Sequence, residues 1–409
     1  MSMADAAPSA RRVPARRVPA RRSPVPSLLA WPVLCRHAAA DRRRVPRPIA
    51  APLTASPPSR PFARPSSIDS DRALALAGTL LLAVVLALAP TPARAAERTL
   101  TVYTYESFVA EWGPGPAIKE AFEKACGDCE LDFVPLDSSA GILNRVQLEG
   151  ASTRADVVLG LDTNLMAIAE DSGLLAPSEV DTDALSLPID WTSEIFVPFD
   201  YGFFAFVYDT EALRTPPASF EELLSAPEDV RVIIQDPRTS TPGLGLLLWI
   251  KSVYGEEAGE VWAKLQPRIV TVTKGWSEAY FSLFLNGEAP MVLSYTTSPG
   301  YHMAVDGTDR WQAASFEEGH YLQVEVAAAL AGSPNLALAR EFLAFLVTPP
   351  AQTSIPLGNV MYPVVDLGTE MPEAFDRLVE PASVLLIDPE RVRDERRNWI
   401  DEWLEASTR

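Results

Sequence analysis

The sequence predicts an α/β protein of two lobes that are joined by two long strands. Three observations carry this prediction. Apolar strands alternate with helices over residues 100–172, which is the pattern of an α/β fold. The same alternation restarts near residue 231. Two long extended apolar runs, residues 196–208 and 320–330, break the rhythm, and we interpret them as the connections between the lobes.

The first 95 residues are set apart from the fold by their composition. Residues 1–72 are rich in Arg, Pro, Ala and Ser and have no apolar period, so we do not expect them to fold. The apolar run 73–89 precedes an A-x-A cleavage pattern at Ala93 to Ala95, which predicts a disordered leader plus a cleaved signal peptide over residues 1–95. The alternative is a transmembrane anchor, for which the run is marginal in length.

The cut site and the leader length add two further expectations. No Cys lies near the cut, which excludes a lipoprotein anchor, so we expect export as a free protein that begins at Ala96. The segment ahead of the apolar run exceeds a normal signal-peptide start. Either the start codon lies later than Met1 or the leader is unusual.

The charge of the chain is strongly uneven. The whole sequence holds 35 Lys and Arg against 54 Asp and Glu. The first 95 residues carry 15 Arg and 4 Asp, so the remainder carries 20 basic and 50 acidic side chains. This excess of acidic residues after residue 95 argues against nucleic-acid binding, which requires basic patches. Its field would attract a cationic ligand.

The first lobe is predicted from a run of alternating elements. The strand ADVVLGLD is continuously apolar, as expected for a parallel sheet covered on both faces. The residues Asp137, Ser138 and Ser139 form a good helix-capping run. In chain order we predict a strand over 100–108, a helix over 117–125, a strand over 130–136, a helix over Gly141–Glu149, a strand over 155–162 and a helix over 164–172.

The second half repeats the pattern and returns to the first lobe. We predict helices over 220–229, 276–288 and 335–349, a helix that starts at Pro242, a C-terminal helix around 390–407, and strands over 231–237, 268–275 and 291–302. These elements assign residues 96–200 and 325–370 to lobe I and residues 201–324 to lobe II. The C-terminal helices, residues 371–409, are expected on lobe II.

The mature cysteines Cys126 and Cys129 form a close pair in CGDC, between a helix and a strand. Such a pair is a redox motif, half a zinc site or a small disulfide. The histidines His37, His302 and His320 each stand alone, which argues against zinc. In an exported chain we favour a structural disulfide.

Polar and aromatic side chains follow the ends of the predicted strands. Ligands bind beyond the carboxyl ends of strands in open α/β sheets. These loops carry Trp, Tyr, Ser and Thr with almost no charge, which predicts a stacking pocket with polar orientation rather than a metal or acid–base site. The loops are Tyr105–Trp112, Asp137–Ser139, Asp162, Pro237–Gly243, Lys274–Ser277 and Tyr295–Tyr301.

One of these loops leads into a helix through Ser240, Thr241 and Pro242. Hydroxyl groups cap free N–H groups and Pro fits the first turn, so this is a helix start. A helix start whose N–H groups are not all used can bind an anion. The hypothesis is that Ser240 and Thr241 hold a phosphate or carboxylate. The alternative is an ordinary capped helix.

Several long blocks in the same order resemble the family of periplasmic thiamine-binding proteins of bacterial thiamine ABC importers. The similarity covers the chain from Leu100 to about Ser407. The blocks are LTVYTYESF followed by WGPGP, ADVVLGLD, FVPFDYGFFAFVYD, QDPRTSTPGLGLLLW, TVTKGWSEAY, LSYTTSPGYH and EGHYLQVEVAA.

The resemblance implies a type II periplasmic-binding-protein fold, with two crossing strands at the hinge and a ligand cleft between the lobes. It implies a periplasmic, monomeric protein without catalytic activity, metal or cofactor, which binds thiamine, its monophosphate or its diphosphate and delivers it to a membrane permease. The family's ligand contacts fall on Ser138, Ser139, Ser240, Thr241, Trp276, Tyr295, Thr296, Thr297 and Ser298, with Tyr105, Trp112 and Tyr301 as neighbours.

Two departures from the family pattern bear on the ligand. The family often has an acidic residue and Gly at the positions of Ser138 and Ser139, and it tends to have Trp at the position of Val360. A charge interaction with the ligand cation or its amino group would then be lost, and one stacking face would be smaller. Asp200 and Tyr201, beside the first crossing strand, are expected to pack at the hinge rather than to contact the ligand.

Two other function classes compete with this interpretation. Relatives with this fold bind ferric iron through Tyr pairs, here Tyr295 and Tyr301 with His302 as a partner, or polyamines through acidic residues. A thiaminase shares the fold and needs a cysteine nucleophile in the cleft. Cys126 and Cys129 lie in a predicted surface turn instead, so we do not expect an enzyme.

Overall fold

The computed structural model of the protein describes residues 98–408. The predicted leader and its cleavage site lie outside the described residues. The strands are β1 Arg98–Tyr105, β2 Cys129–Leu136, β3 Val157–Asp162, β4 Val197–Asp209, β5 Val232–Gln235, β6 Ile269–Thr273, β7 Met291–Tyr295, β8 Trp311–Ala313, β9 His320–Ala329, β10 Tyr362–Pro363 and β11 Val384–Leu385.

The helices surround this set of strands. They are α1 Gly115–Cys126, α2 Ser139–Glu149, α3 Met166–Glu170, α4 Phe220–Ser225, α5 Thr241–Tyr254, α6 Ala258–Leu265, α7 Ser298–Tyr301, α8 Leu336–Leu346, α9 Pro349–Gln352, α10 Ile355–Gly358 and α11 Pro389–Ser407. Two π-helical segments cover Glu278–Leu283 and His302–Asp306. None of the helices within residues 98–408 has the length and apolar character that crossing a membrane requires.

The strands of the described chain form one mixed sheet in which β4 and β9 connect two halves. The order is β2-β1-β3-β9-β4-β7-β5-β6, with β8 and β10 paired to β4 and β11 paired to β9. Strand β4 pairs with β9 over Val197–Phe203 and with β7 over Phe204–Tyr208. The two long runs of the sequence are therefore the crossing strands. We call the half with β1, β2 and β3 the first lobe, and the half with β5, β6 and β7 the second lobe.

The first lobe is packed on both faces of the sheet, as the continuous apolar run of β3 predicts. All six residues of β3 are buried. Leu100 and Val102 of β1 pack in one core with Phe342 of α8, whereas Tyr103 packs in a second core with Ile142 of α2. Alternate residues of one strand thus enter cores on opposite sides, which buries a parallel sheet.

Three predicted helices differ from the observed elements. The helix expected over 220–229 stops at Ser225, because the residue before Pro227 is driven out of the helical region. The helix expected over 164–172 starts only at Met166, after a turn in which an Asp162 carboxylate oxygen accepts a hydrogen bond from the Asn164 N–H at 2.8 Å. The helix expected over 276–288 is a π-helical segment and a 3-10 turn.

The C-terminal helix α11 packs on α5 and α6. Lys251 of α5 forms an ion pair with Glu402 at 2.7 Å. At its other end Arg393 reaches Asp171, next to α3 in the first lobe, at 3.6 Å. Because the helix contacts both lobes, its assignment to lobe II and the lobe boundaries in general stay a prediction.

Cys126 ends α1 and Cys129 begins β2, and a disulfide joins them with their Cα atoms 5.9 Å apart. The tight turn between them contains Gly127 at φ +76°, a conformation that favours glycine. Cys126 is half-buried and Cys129 is buried at the edge of the first-lobe core. The purely structural role of the disulfide stays a prediction.

Candidate functional site

A cavity of about 480 Å³ lies between the two lobes. This volume is within the range of small-molecule sites, about 300–1,000 Å³. The first lobe, its crossing strand β9 and the segment after α10 contribute Tyr105, Glu106, Ser107, Trp112, Asp137, Ser138, Ser139, Glu325, Asn359, Val360 and Met361. The second lobe contributes Thr239, Ser240, Thr241, Pro242, Lys274, Gly275, Trp276, Ser277, Glu278, Tyr295 and Ser298.

Most of the residues predicted to contact a ligand line this cavity. They are Tyr105, Trp112, Ser138, Ser139, Ser240, Thr241, Trp276, Tyr295 and Ser298. Thr296, Thr297 and Tyr301 do not line it. Strand β7 ends at Tyr295 and α7 begins at Ser298, so the connection is tight and both threonines are fully buried. Tyr301 ends α7 and packs edge-on against His302, with ring centroids 5.7 Å apart.

Trp276 is held as a rigid wall of the cavity. Its indole stacks on Tyr280 with ring centroids 5.0 Å apart and planes 19° apart. Its Nε1 donates a hydrogen bond to the Ser294 hydroxyl at 2.7 Å. Behind it, the Tyr280 hydroxyl is bonded to His302 at 3.0 Å, and the other ring nitrogen of His302 lies 2.7 Å from Asp306. The π-helical segment places Tyr280 in this supporting position, and π-helices occur frequently at functional sites.

Two half-buried tyrosines, Tyr105 and Tyr295, complete the aromatic surface. The Tyr295 hydroxyl donates to Gln323 at 2.9 Å, and the Tyr105 hydroxyl donates to Glu325 at 2.6 Å. Burial raises the pKa of both phenols well above its ordinary value, so both stay neutral. Gly160, at φ +95°, leaves the space that the Tyr105 ring fills, because a Cβ there would lie 2.3 Å from that ring.

The start of α5 faces the cavity with hydroxyl groups, as the sequence predicts, but these hydroxyls do not cap the helix. Ser240 is the N-cap residue with extended backbone, and no side chain caps the first turn. The Thr241 hydroxyl donates instead to the Ser139 hydroxyl at 3.0 Å. The first N–H groups of a helix have no partner within the helix. The hydroxyl groups and the free N–H groups at the start of α5 therefore give this end of the cavity hydrogen-bond donors and the positive end of a helix dipole.

The start of α2 faces α5 from the first lobe. The Ser138 hydroxyl accepts a hydrogen bond from the Gly141 N–H at 3.1 Å and so caps α2, as the run Asp137 to Ser139 predicts. Ser138 and Ser139 bring no charge to the start of α2. The carboxylate nearest to them in sequence is that of Asp137, which lines the cavity and is largely exposed.

Val360 lines the cavity with a backbone that is unusual for its type. Its φ is +56°, and a β-branched residue seldom adopts a positive φ. Such backbone strain concentrates at functional sites. Val360 lies between Asn359 and Met361, which line the cavity as well, so the chain bends into the site at this point.

The cavity is more highly charged than the sequence suggests. Four carboxylates, from Glu106, Asp137, Glu278 and Glu325, line it together with Lys274. The expectation of almost no charge is therefore wrong. Glu106, Asp137 and Lys274 lie in the strand-end loops themselves, and Glu325 comes from the middle of the crossing strand β9. A carboxylate inside a mostly apolar strand is itself a signal of function, while nothing in the sequence pattern marks Asn359.

Three contacts join the lobes across the cavity. Lys274 of the second lobe forms an ion pair with Asp137 of the first. The Thr241–Ser139 hydrogen bond also crosses between lobes. At the rim, the rings of Trp112 and Phe281 meet edge-on with centroids 5.5 Å apart, although their exposures are 41% and 38%. The lobes therefore touch across the site, and side chains on both sides can hold them together.

Asp200 lies in β4 below the cavity and is fully buried, as expected for a hinge residue. Its carboxylate accepts a hydrogen bond from the Asn359 amide at 2.5 Å. Within residues 98–408, no three His, Cys, Asp or Glu side chains are grouped closely enough to hold a metal ion.

Comparisons with known proteins place this geometry in context. The family model of bacterial extracellular solute-binding proteins matches residues 108–353. The chain is 53% identical over 331 residues to a thiamine-binding periplasmic protein of Brucella suis, covering 81% of this chain and 98% of the relative. It is 54% identical over 314 residues to a thiamine-binding periplasmic protein of Escherichia coli, covering 77% and 95%. A solved periplasmic thiamin binding protein matches with a TM-score of 0.73 and 53% identity, covering 76% of this chain and 96% of that one.

Proposed function

The chain belongs to the family of bacterial extracellular solute-binding proteins, and on that premise we propose that it binds thiamine and its phosphate esters in the cavity between its lobes. Two relatives with 53% and 54% identity are thiamine-binding periplasmic proteins. We propose that the bound vitamin is delivered to the membrane permease of an ABC transporter. Thiamine is then the transported ligand, and the proposal needs no cofactor.

The observation that carries the proposal is the distribution of chemistry along the cavity. Trp276 and Tyr295 offer aromatic faces, on which flat rings stack. Glu325 offers a negative charge beside them, suited to a thiazolium. The start of α5 offers hydroxyl and N–H groups for an anionic tail. A cation over an aromatic face, once desolvated, gains about 2 kcal/mol.

In this proposal Ser240 and Thr241 contact the phosphate of the esters, and Ser298, Ser138 and Ser139 lie near the same end. Trp112 and Tyr105 close the site from the first lobe. Thr296, Thr297 and Tyr301 support the walls from behind, because they lie outside the lining. Val360 leaves room beside the rings, so ring contact there is smaller than a Trp would give.

The names of the two relatives favour thiamine as the ligand over ferric iron or a polyamine. We propose no catalytic role. A thiaminase would need its cysteine in the cleft, and the disulfide-bonded Cys126 and Cys129 lie outside the residues that line it. We further propose that the protein acts as a monomer and does not bind nucleic acid, in keeping with its acidic charge.

We propose that the protein works in the periplasm, after removal of residues 1–95. The basis is the A-x-A pattern that ends at Ala95, together with the periplasmic relatives. Intact-mass analysis of the exported protein should give a chain that begins at Ala96. A membrane-bound product that retains residues 73–89 would contradict this.

The binding proposal is tested by calorimetric titration of ligand-free protein with thiamine, thiamine monophosphate, thiamine diphosphate, ferric citrate and spermidine. We expect one-site binding of the vitamin forms and no saturable binding of the iron complex or the polyamine. Saturable binding of spermidine or iron, without thiamine binding, would refute the proposal.

A further inference from the structure

Three carboxylates lie side by side across neighbouring strands, and one of them, Glu325, lines the cavity. In the sheet register, Glu325 of β9 is opposite Asp162 of β3 on one side and opposite Asp200 of β4 on the other. Their exposures are 7%, 0% and 0%, respectively. Like charges directly opposite each other destabilise a sheet. An isolated buried carboxylate is costly unless it is neutralised or paired.

Hydrogen bonds join two of these carboxylates into one unit. Glu325 accepts from the Tyr105 hydroxyl at 2.6 Å and from the Gln323 amide at 2.8 Å. The Asn359 amide nitrogen lies 2.5 Å from an Asp200 oxygen and 3.5 Å from a Glu325 oxygen. The other Asp200 oxygen is buried and has no hydrogen-bond partner in the part of the chain that the structure describes. A pair of carboxylates bridged in this way has a place for one more proton.

The groups that face Glu325 are neutral or negative on every side. Tyr105 faces it from β1, Asp162 from β3 and Asp200 from β4, while Tyr295 of β7 reaches it through Gln323. Within residues 98–408, neither Glu325 nor Asp200 forms an ion pair with Lys, Arg or His at 4 Å or less.

Among the described residues, 98–408, the one positive charge that acts on this row acts on Asp162, at the end of the row away from Asp200. Arg396 of α11 interacts with Asp162, and burial lowers the pKa of Arg396. Burial raises the pKa of Glu325 to about 7. Burial also raises the pKa of Asp200, and the negative charge of Glu325 raises it further. Of the row, only Glu325 lines the cavity. The missing counter-charge therefore has to be a proton or a ligand.

We propose that Glu325 is the counter-charge of a cationic heteroaromatic ring and that ligand binding expels one proton held by the Asp200–Glu325 pair. This inference rests on the proposed function, because thiamine supplies the cation. The step is an exchange: the ligand cation enters, the proton leaves to solvent through the cavity, and no bond of the ligand changes. The charge at this point of the site is the same before and after binding.

The exchange makes Glu325 a specificity residue for the charge of the ring. A neutral ring of the same shape displaces no proton and gains nothing from the carboxylate. Deazathiamine, in which a neutral thiophene replaces the thiazolium, is the matched ligand.

The test is calorimetric titration of the ligand-free protein at pH 6 and pH 8.5, in buffers of different ionisation enthalpy. For thiamine we expect release of about one proton at pH 6 and almost none at pH 8.5, with affinity about tenfold higher at pH 8.5. Deazathiamine should release none at either pH. Glu325→Gln should abolish proton release and make the weakened thiamine affinity independent of pH. Glu278→Gln removes an exposed carboxylate of the same cavity and should keep the wild-type proton count.

Asp200→Asn supplies a second test that leaves Glu325 in place. Removal of the neighbouring charge should make Glu325 ionise at lower pH, so proton release at pH 6 should fall below that of the wild type. Thiamine binding without proton release at pH 6, or unchanged release in Glu325→Gln, would overturn the inference and leave the proposed function intact. Absence of thiamine binding at every pH would refute both.

Discussion

Replacing Glu325 with Gln should change how the stability of the ligand-free protein depends on pH. The pKa of Glu325 is about 7 in the folded protein, against an ordinary value of 4.5. Between these two values the folded protein holds a proton that the unfolded chain has lost. Stability therefore falls as pH rises through this window, and the loss is complete above about pH 7.

The magnitude follows from the two pKa values. A difference of one pKa unit corresponds to about 1.4 kcal/mol, so the full loss is about 3 kcal/mol. Gln cannot ionise and has the size of the protonated acid, although its NH2 group donates and cannot accept one of the two hydrogen bonds that Glu325 accepts. Between pH 4.5 and pH 8 the unfolding free energy of the wild type should therefore fall by about 3 kcal/mol more than that of Glu325→Gln.

Urea unfolding of both ligand-free proteins at pH 4.5 and pH 8 measures this gain. Comparing the two proteins cancels the titration of groups that do not interact with Glu325, and Glu278→Gln serves as the control that should follow the wild type. If Glu325→Gln and the wild type lose stability in parallel, with a difference below about 1 kcal/mol, the buried carboxylate is not protonated in the folded protein.

Three further predictions concern the walls and the closure of the site. Trp276→Ala should weaken the binding of thiamine and of both phosphates alike, by about 1–3 kcal/mol. Ser240→Ala with Thr241→Ala should weaken the binding of the phosphates only, by about 1.5–3 kcal/mol for each lost bond to a charged group. Titration with all three ligands separates the two effects, and equal losses in the double variant would exclude a phosphate site. Lys274→Ala should reduce the closed fraction in small-angle scattering, more at low salt than at high salt, and a salt-independent effect would contradict an ion-pair origin. Replacing Cys126 and Cys129 with Ser should cost about 2 kcal/mol of stability and leave ligand affinity unchanged, and loss of binding in a folded variant would refute the structural role.

The fold follows from the sequence where the pattern is long and continuous. The apolar run of β3 and the two extended runs of β4 and β9 have few alternative placements, because such lengths need a sheet covered on both faces or a crossing position. Short elements were harder to predict. The wide turns of the π-helical segment around Tyr280 follow from packing against Trp276 and His302, which no local period encodes.

The residues that line the cavity also fall into a group that the sequence predicts and a group that it does not. Residues at strand ends, such as Trp276 and Ser240, are placed by topology, so their neighbourhood can be predicted. Glu325 and Asn359 are brought to the cavity by the crossing strand and by the return of the chain after α10. Their proximity to Tyr105 spans more than 200 positions in sequence. Of these two residues, only Glu325, a carboxylate in a mostly apolar strand, is marked by the sequence pattern.

The most direct test of the central claim is a crystal structure of the protein with thiamine bound. We expect the vitamin in the cavity between the lobes, with its rings against Trp276 and Tyr295. We also expect the thiazolium charge within about 6 Å of the Glu325 carboxylate. Thiamine bound outside this cavity, or with its aminopyrimidine instead of its thiazolium beside Glu325, would contradict this expectation.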